Sequence, residues 1–475
     1  MTTRGRRRLA AALVPWLLAA CTVGPDFVPP PAPDRTSYDA AALPPAERVA
    51  ESDQRIDFGR AIPAAWWSLF RCPDLTQTLD AVIASNSTLA AARATVAQAE
   101  QTVLAARGGL WPQANLSAGV QRTGSLGAGA PTAGLYSVGP SVTWLFDIFG
   151  VTRRTVEQQE ALAEAQGYQL AAAHLTLTGE AVSQAVAIAA ARRQIATVDE
   201  IIASDEKNLD LVRRKFTGGK AARTDVLTAE SQLMADRAQI SALRQQLSVA
   251  RHALAVLASR SPAEWSPPDF DLSEFTLPRD LPASVPSDLV HRRPDILTAE
   301  AQLHAAGAAV GVATAQLYPS LTLSAALTQQ STAADSLFHG TGNLWTTGAG
   351  LAAPVFHGGT LEAQRQAAVE AFNAQLAAYQ QTVVQAFGQV ADALRALDHD
   401  AEFMANARRS LEVADSSLAL QRASYAAGKT SVVDLVEAER AFAQARLAFV
   451  AAQVQQLQDT VQVFVVMGGG WDNTR

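Results

Sequence analysis

Phe216-Thr-Gly-Gly-Lys-Ala-Ala-Arg-Thr-Asp225-Val-Leu-Thr-Ala-Glu230 returns later in the same chain as Tyr425-Ala-Ala-Gly-Lys-Thr-Ser-Val-Val-Asp434-Leu-Val-Glu-Ala-Glu439. The two lysines, Lys220 and Lys429, are 209 residues apart. Leu110-Trp-Pro112 likewise returns as Leu317-Tyr-Pro319, 207 residues on. Two landmarks with nearly one offset describe a duplicated unit of that length, and no short solenoid repeat.

Each copy of the Gly-Lys stretch ends one long helical run and begins another. No proline interrupts residues 150–215 or 360–426. At about 1.5 Å per residue, each run predicts a helix on the order of 100 Å long. Shorter helices, 224–258 and 431–466, return from the turns. In the second, Val450, Val454, Leu457, Val461 and Phe464 step by four and three, a coiled-coil seam. An earlier helix is predicted over Leu75 to Arg107, with Asn86 and Ser87 as weak points near its middle.

Two stretches per half alternate instead with period two. Over residues 113–122, Ala114, Leu116, Ala118 and Val120 oppose Gln113, Asn115, Ser117 and Gln121. Over 136–147, Tyr136, Val138, Val142, Trp144 and Phe146 oppose Ser137, Gly139, Ser141, Thr143 and Asp147. A Gly-rich loop, 123–134, joins them. The second half repeats the hairpin: Leu321, Leu323, Ala325 and Leu327 oppose Ser320, Thr322, Ser324 and Thr328, and a partner strand runs from Trp345 to Val355. Aromatic residues near the strand ends resemble interfacial girdles.

The N-terminus carries Arg4, Arg6, Arg7 and Arg8, then an apolar run from Leu9 to Ala20, which has signal-peptide length. It ends in Leu18-Ala-Ala-Cys21, the pattern of bacterial lipoprotein processing, so Cys21 is expected to carry N-acyl diacylglycerol. Thr22 after the cysteine favours sorting to the outer membrane. Cys72 is the other cysteine, so a lipidated Cys21 leaves no intrachain disulfide; Cys72 reads as a half-buried bystander. Removal of residues 1–20 takes four of 38 basic residues and leaves 34 against 45 acidic ones, a net of −11. That charge does not invite nucleic acid. After residue 21 no apolar run has the length of a membrane helix, so any membrane crossing must be β.

The expected organisation is a signal peptide at 1–20, a lipidated tether at 21–64, a first repeat at 65–260 with its hairpin at 113–148, a linker at 261–286, and a second repeat at 287–475 with its hairpin at 319–356. Four strands cannot close a barrel in lipid, because an open edge leaves backbone groups unpaired. The chain is therefore expected to oligomerise, pooling hairpins around a wet lumen. No metal-ligand spacing links the seven histidines, and no nucleophile elbow, P-loop or cysteine pair is present, so an enzyme is not expected. A periplasmic coiled-coil adaptor is the structural rival; it would lack two hairpins with apolar faces.

Several stretches occur in one order from end to end: Cys21-Thr-Val-Gly-Pro-Asp-Phe-Val-Pro-Pro30, Trp66-Trp-Ser-Leu-Phe70, Arg292-Arg-Pro-Asp-Ile296, Ala315-Gln-Leu-Tyr-Pro-Ser320, Pro354-Val-Phe-His-Gly-Gly359, the two Gly-Lys turns and Gly468-Gly-Gly-Trp471. In this the chain resembles the TolC-like outer-membrane efflux factors, in their lipoprotein (NodT/OprM-like) branch. The resemblance implies an α+β membrane protein: a homotrimer with one 12-stranded outer-membrane β-barrel, four strands per chain, continuous with a long periplasmic α-helical barrel. It implies a passive exit duct of a tripartite pump, with a periplasmic adaptor and an inner-membrane transporter, often of the RND class, as partners. Exit ducts of type I protein secretion or of metal-ion efflux share this build and stay open as alternatives. By the same resemblance, Asp434 and Glu437 ring a periplasmic constriction, with Tyr425 in the network that shuts it and Asp225 as the first-repeat counterpart of Asp434. The turns at Gly218, Gly219 and Lys220, and at Gly428 and Lys429, are expected to form an adaptor-docking tip. No cofactor beyond the acyl group and no metal is implied.

Overall fold

The computed structural model describes residues 22–31, 37–38, 54–60, 62–124, 132–339 and 342–471. The signal peptide and Cys21 lie outside the described residues, as does about half of the tether.

In chain order the first half runs β1 (Arg55–Phe58), α1 (Pro73–Ser85), α2 (Ser87–Gly108), β2 (Gln113–Gly124), β3 (Thr132–Phe146), α3 (Val151–Thr217) and α4 (Arg223–Leu257). The second half runs β4 (Asp280–Ala283), α5 (Pro286–Leu289), α6 (Pro294–Ala315), β5 (Ser320–Ser331), β6 (Asn343–Ala352), α7 (Thr360–Ala426) and α8 (Val432–Val466). Helices α3 and α7 each hold 67 residues, and α4 and α8 each hold 35. The duplication is thus carried through to equal lengths of these paired helices.

The helix expected over residues 75–107 is two helices. Asn86 is where it breaks, and its side chain serves both ends: Oδ1 accepts from the Leu89 N–H at 2.8 Å, and Nδ2 donates to the Leu257 carbonyl at 2.8 Å. The first bond caps α2 and the second satisfies a carbonyl at the end of α4. The strand boundaries also move: β3 starts at Thr132, which shortens the expected loop, and β6 ends at Ala352, short of Val355. The linker, expected to have little regular structure, contains β4, which pairs in parallel with β1.

The contacts divide the chain into two compact units. One comprises residues up to 31, 94–168 and 298–381 and contains the four-stranded sheet. Its order is β2-β3-β5-β6, antiparallel throughout, so the two hairpins join through β3 and β5. Directly opposed residues share a face. Phe146, Leu321 and Leu351 form one apolar row, and Trp144, Leu323 and Ala349 the next. Thr143, Ser324 and Gly348 form a row on the other face, which is small and polar. The apolar face is open: Leu116 is 76% exposed and Leu351 68%. Among the described residues no helix is long and apolar enough to cross a membrane.

Pro140 stands inside β3, where a central strand normally excludes proline because it has no N–H to donate. The β3–β5 pairing answers this by lapsing there. It runs from Tyr136 to Val138 against Ser331 to Gln329, then resumes from Ser141 against Ala326. Gly139 fills the gap, since a Cβ there would sit 1.9 Å from the Leu327 carbonyl oxygen.

The other unit comprises residues 32–93, 169–297 and 382–475. Trp66, Phe70 and Phe464 are fully buried at its centre, with Trp66 stacked on Phe464 at 5.2 Å between ring centroids. The Arg292–Ile296 and Gly468–Trp471 stretches meet at the same place. Buried Arg293 donates to the Val466 carbonyl at 2.9 Å, at the C-terminus of α8, where a cation also complements the helix dipole. The Trp471 indole donates to the Arg292 carbonyl at 3.0 Å. Gly468 and Gly470 turn the chain with φ of 74° and 99°.

The close approach at Gly139 yields a test. Gly139→Val should separate β3 from β5 and so divide the sheet into two hairpins. Hydrogen exchange along β3 and β5 should show faster opening, whereas Gly119→Ala, on the β2 side, should leave it unchanged.

Candidate functional site

The two Gly-Lys turns fold alike. Lys220 N–H donates to the Lys215 carbonyl at 2.8 Å, and Lys429 N–H to the Ser424 carbonyl at 2.9 Å. Each is a bond across six residues, the Schellman closure of a helix C-terminus. It needs one residue in the left-handed region, and Gly219 (φ 71°) and Gly428 (φ 72°) supply it. Gly218 has no such role; the second repeat has Ala427 there. Lys220 and Lys429 are both exposed.

Downstream, Asp434 caps α8 reciprocally. Its Oδ2 accepts from the Ser431 N–H at 2.9 Å and from the Ser431 hydroxyl at 2.7 Å, while its own N–H donates to Ser431 Oγ at 3.2 Å. These bonds favour the carboxylate and lower its pKa. Asp225 repeats half of this at α4: its Oδ2 accepts from the Ala222 N–H at 2.9 Å, but Ala222 has no hydroxyl to complete the box. Asp434 and Glu437 are both exposed, one helical turn apart.

Tyr425 does not join them within the chain. It is buried among Leu209, Val212, Val226, Leu418 and Leu435. Its hydroxyl has no hydrogen-bond partner among the described residues. Burial raises its pKa, and the Asp225 charge adds to this. Lys215 closes over the ring at 3.4 Å from its centroid and donates to the Tyr425 carbonyl at 3.2 Å. So the two turns are tied together by a contact between the last turn of α3 and the last turn of α7. Sequence reading missed Lys215, because nothing in its spacing separates it from any other basic residue near a helix end.

A second site lies in the sheet-bearing unit. The Thr22–Phe27 stretch is seated by Arg154, which is only 4% exposed. Arg154 donates to the Val23 carbonyl at 3.3 Å, the Gly24 carbonyl at 3.2 Å, Asp26 at 2.8 Å and Glu157 at 2.7 Å. Burial opposes its charge, but the Glu157 and Asp26 carboxylates outweigh that and raise its pKa. Val23 N–H donates to the Phe149 carbonyl at 3.2 Å, and Phe27 stacks on His304 at 4.5 Å. Gly24 (φ 99°) is needed twice over, since a Cβ there would also lie 2.6 Å from Gly311 Cα. The motif after Cys21 therefore holds the tether's first residues at the junction of β3 and α3. Arg154 itself left no signal in the sequence.

A duplicated chain with a four-stranded sheet open on an apolar face, and paired helical hairpins closed by matching turns, has the build of an outer-membrane conduit protein. It belongs to the outer membrane efflux protein family, whose model matches residues 78–259 and 285–469. Nodulation protein T of Rhizobium leguminosarum bv. viciae is 32% identical over 470 residues, covering 98% of this chain and 94% of that protein. The toluene efflux pump outer membrane protein TtgF of Pseudomonas putida is 28% identical over 472 residues, covering 96% and 95%. The solved structure of the outer-membrane channel OprN superposes with a TM-score of 0.86 at 26% identity, covering 95% of this chain and all of that one. The chain is an outer-membrane efflux protein.

The turn geometry makes a specific prediction. A Cβ on Gly428 meets no atom within 4 Å, so the cost of Gly428→Ala is backbone strain alone, about 1 kcal/mol. Gly218→Ala should be near neutral, because a Cβ there makes only ordinary contacts. Hydrogen exchange at the ends of α7 and α3 should show faster opening in the first variant and no change in the second.

Proposed function

We propose that three copies of this chain form the passive outer-membrane exit duct of a tripartite efflux pump. Their sheets would combine into one twelve-stranded barrel. The observation that carries this reading is the strand order: β2 and β6 are the edges of a sheet whose apolar face is exposed. In lipid those edges must pair, and antiparallel addition of β2 from one copy to β6 of the next does so. Helices α3, α4, α7 and α8 of each copy would then form the wall of a periplasmic conduit. Small polar residues on the second sheet face (Asn115, Ser141, Thr143, Ser324, Thr346) suit a wet lumen.

In this reading, Cys21 carries the acyl anchor, and the Arg154 seat fixes where the lipid leaves the folded protein. The Gly-Lys turns dock a periplasmic adaptor, which connects the duct to an inner-membrane transporter of the RND class. Asp434 and Glu437 have a second role beside capping. Repeated by threefold symmetry, they place up to six carboxylates around one axis, which favours cations.

Two measurements test the reading. Purified protein in planar bilayers should conduct with a preference for cations. Asp434→Asn with Glu437→Gln should reduce that preference several-fold while hydrogen bonding at the cap persists; unchanged selectivity would show that the two acids only stabilise the helix start. Mass spectrometry of the mature N-terminus should find a triacylated Cys21, and Cys21→Ser should abolish the modification while leaving part of the protein assembled in the membrane.

A further inference from the structure

Four aspartates in the helical hairpins are placed where a carboxylate is costly. Asp205 and Asp236 are each 5% exposed, and Asp400 is 6% exposed. Asp205, on α3, is set against Asp236 on α4, and Asp400, on α7, against half-buried Asp459 on α8, close enough for the two carboxyls of each pair to share a proton. The register is the same in both hairpins. Asp205 lies 15 residues before Lys220 and Asp236 lies 16 after it; Asp400 lies 29 before Lys429 and Asp459 lies 30 after it. Each pair is therefore centred on its own Gly-Lys turn, as directly opposed rungs of an antiparallel helix pair must be. The rungs stand at different heights, and neither is the repeat image of the other. Each hairpin has its own acid pair.

Two carboxylates cannot share a buried hydrogen bond unless one of them holds a proton. The surrounding donors show which. Asp236 accepts from Gln232 at 2.8 Å and from Gln239 at 3.1 Å, and Asp459 accepts from Gln455 at 2.7 Å. Asp205 Oδ2 and Asp400 Oδ2, by contrast, receive no hydrogen bond from any donor among the described residues. The acceptor role thus falls to Asp236 and Asp459, and the proton to Asp205 and Asp400.

We propose that each long helical hairpin is braced by one proton held between two facing aspartates, Asp205 with Asp236 and Asp400 with half-buried Asp459, and that loss of these protons in an alkaline periplasm loosens both hairpins.

The groups around each pair set the direction. Asp205 faces Asp236 from α4, Glu439 from α8 and Arg422 from α7. Burial, the bond to Asp236 and the two acidic neighbours push its pKa up to about 8, against the smaller opposing effect of Arg422. Glu439 is itself occupied by Asn208 at 3.0 Å and Arg422 at 3.4 Å. Asp400 faces Asp459, and burial followed by that bond push it up to about 7. A groove of about 550 Å³ reaches Asp205, lined also by Glu200, Asn208, Arg422 and Glu439. A carboxyl whose pKa is higher in the folded state stabilises the fold most below its unfolded pKa near 4. That stabilisation declines as pH rises and is gone above about 7 to 8.

Infrared spectroscopy of the full-length protein in detergent reads the protons directly. The wild type should show protonated-carboxyl absorption at pH 6 that disappears by about pH 9, and Asp205→Asn with Asp400→Asn should remove it. Asparagine keeps the shape and donates an amide N–H to the partner at every pH. Accordingly, the helix melting midpoint of the wild type should fall by about 5 °C more than that of the double variant between pH 6 and pH 9. Equal pH dependence in the two proteins, or a wild type with no such absorption at pH 6, would overturn the proposal. If the double variant does not fold, the wild-type absorption decides: its loss by pH 9 supports the brace, and its absence at pH 6 refutes it.

Discussion

The structure depends on one constraint: backbone N–H and C=O groups placed in lipid must find partners within protein. The chain supplies four strands whose apolar rows face outward and whose outer edges, β2 and β6, are free within the protomer. Neither edge strand is short, β6 carries no charged side chain, and β2 carries only Arg122, near its end. Residues 113–124 and 343–352 read instead as surfaces made for pairing. In the proposed reading, closure by further copies would pair those groups, and a lumen with a polar inner face would follow from closure.

The helical parts solve a different problem, that of keeping very long helices in register with few large side chains. Alanine-rich surfaces allow close approach but supply little burial per residue. The structure compensates with concentrated locks. Trp66, Phe70 and Phe464 form one, and Arg293 and Trp471 fasten the end of α8 beside it. At the turns, Lys215 over Tyr425 ties α3 to α7. Between these points the aspartate pairs add polar rungs. A buried polar contact of this kind specifies register more than it adds stability.

Much of this was legible in the residues. Duplication, hairpin alternation, the proline-free runs and the glycine turns are local patterns, and local patterns dictate local structure. The two 67-residue helices begin and end within two residues of where the proline-free runs place them. What could not be read depends on partners distant in sequence. Asn86 breaks a helix because the Leu257 carbonyl waits for its amide. Pro140 is tolerated in a central strand because the neighbouring ladder lapses beside it. Arg154 becomes the seat of the tether only once residues 23–26 lie against α3. Tyr425 was grouped with Asp434 and Glu437 by resemblance, yet within the chain it packs inward while they face solvent.

The central claim is that the sheet is one third of a barrel. Native mass spectrometry of the protein released from detergent micelles tests it most directly. The account predicts a single dominant species of three chains, each carrying the mass of its acyl anchor, that resists dissociation until the strands unfold. A stable, folded single chain under the same conditions would contradict it.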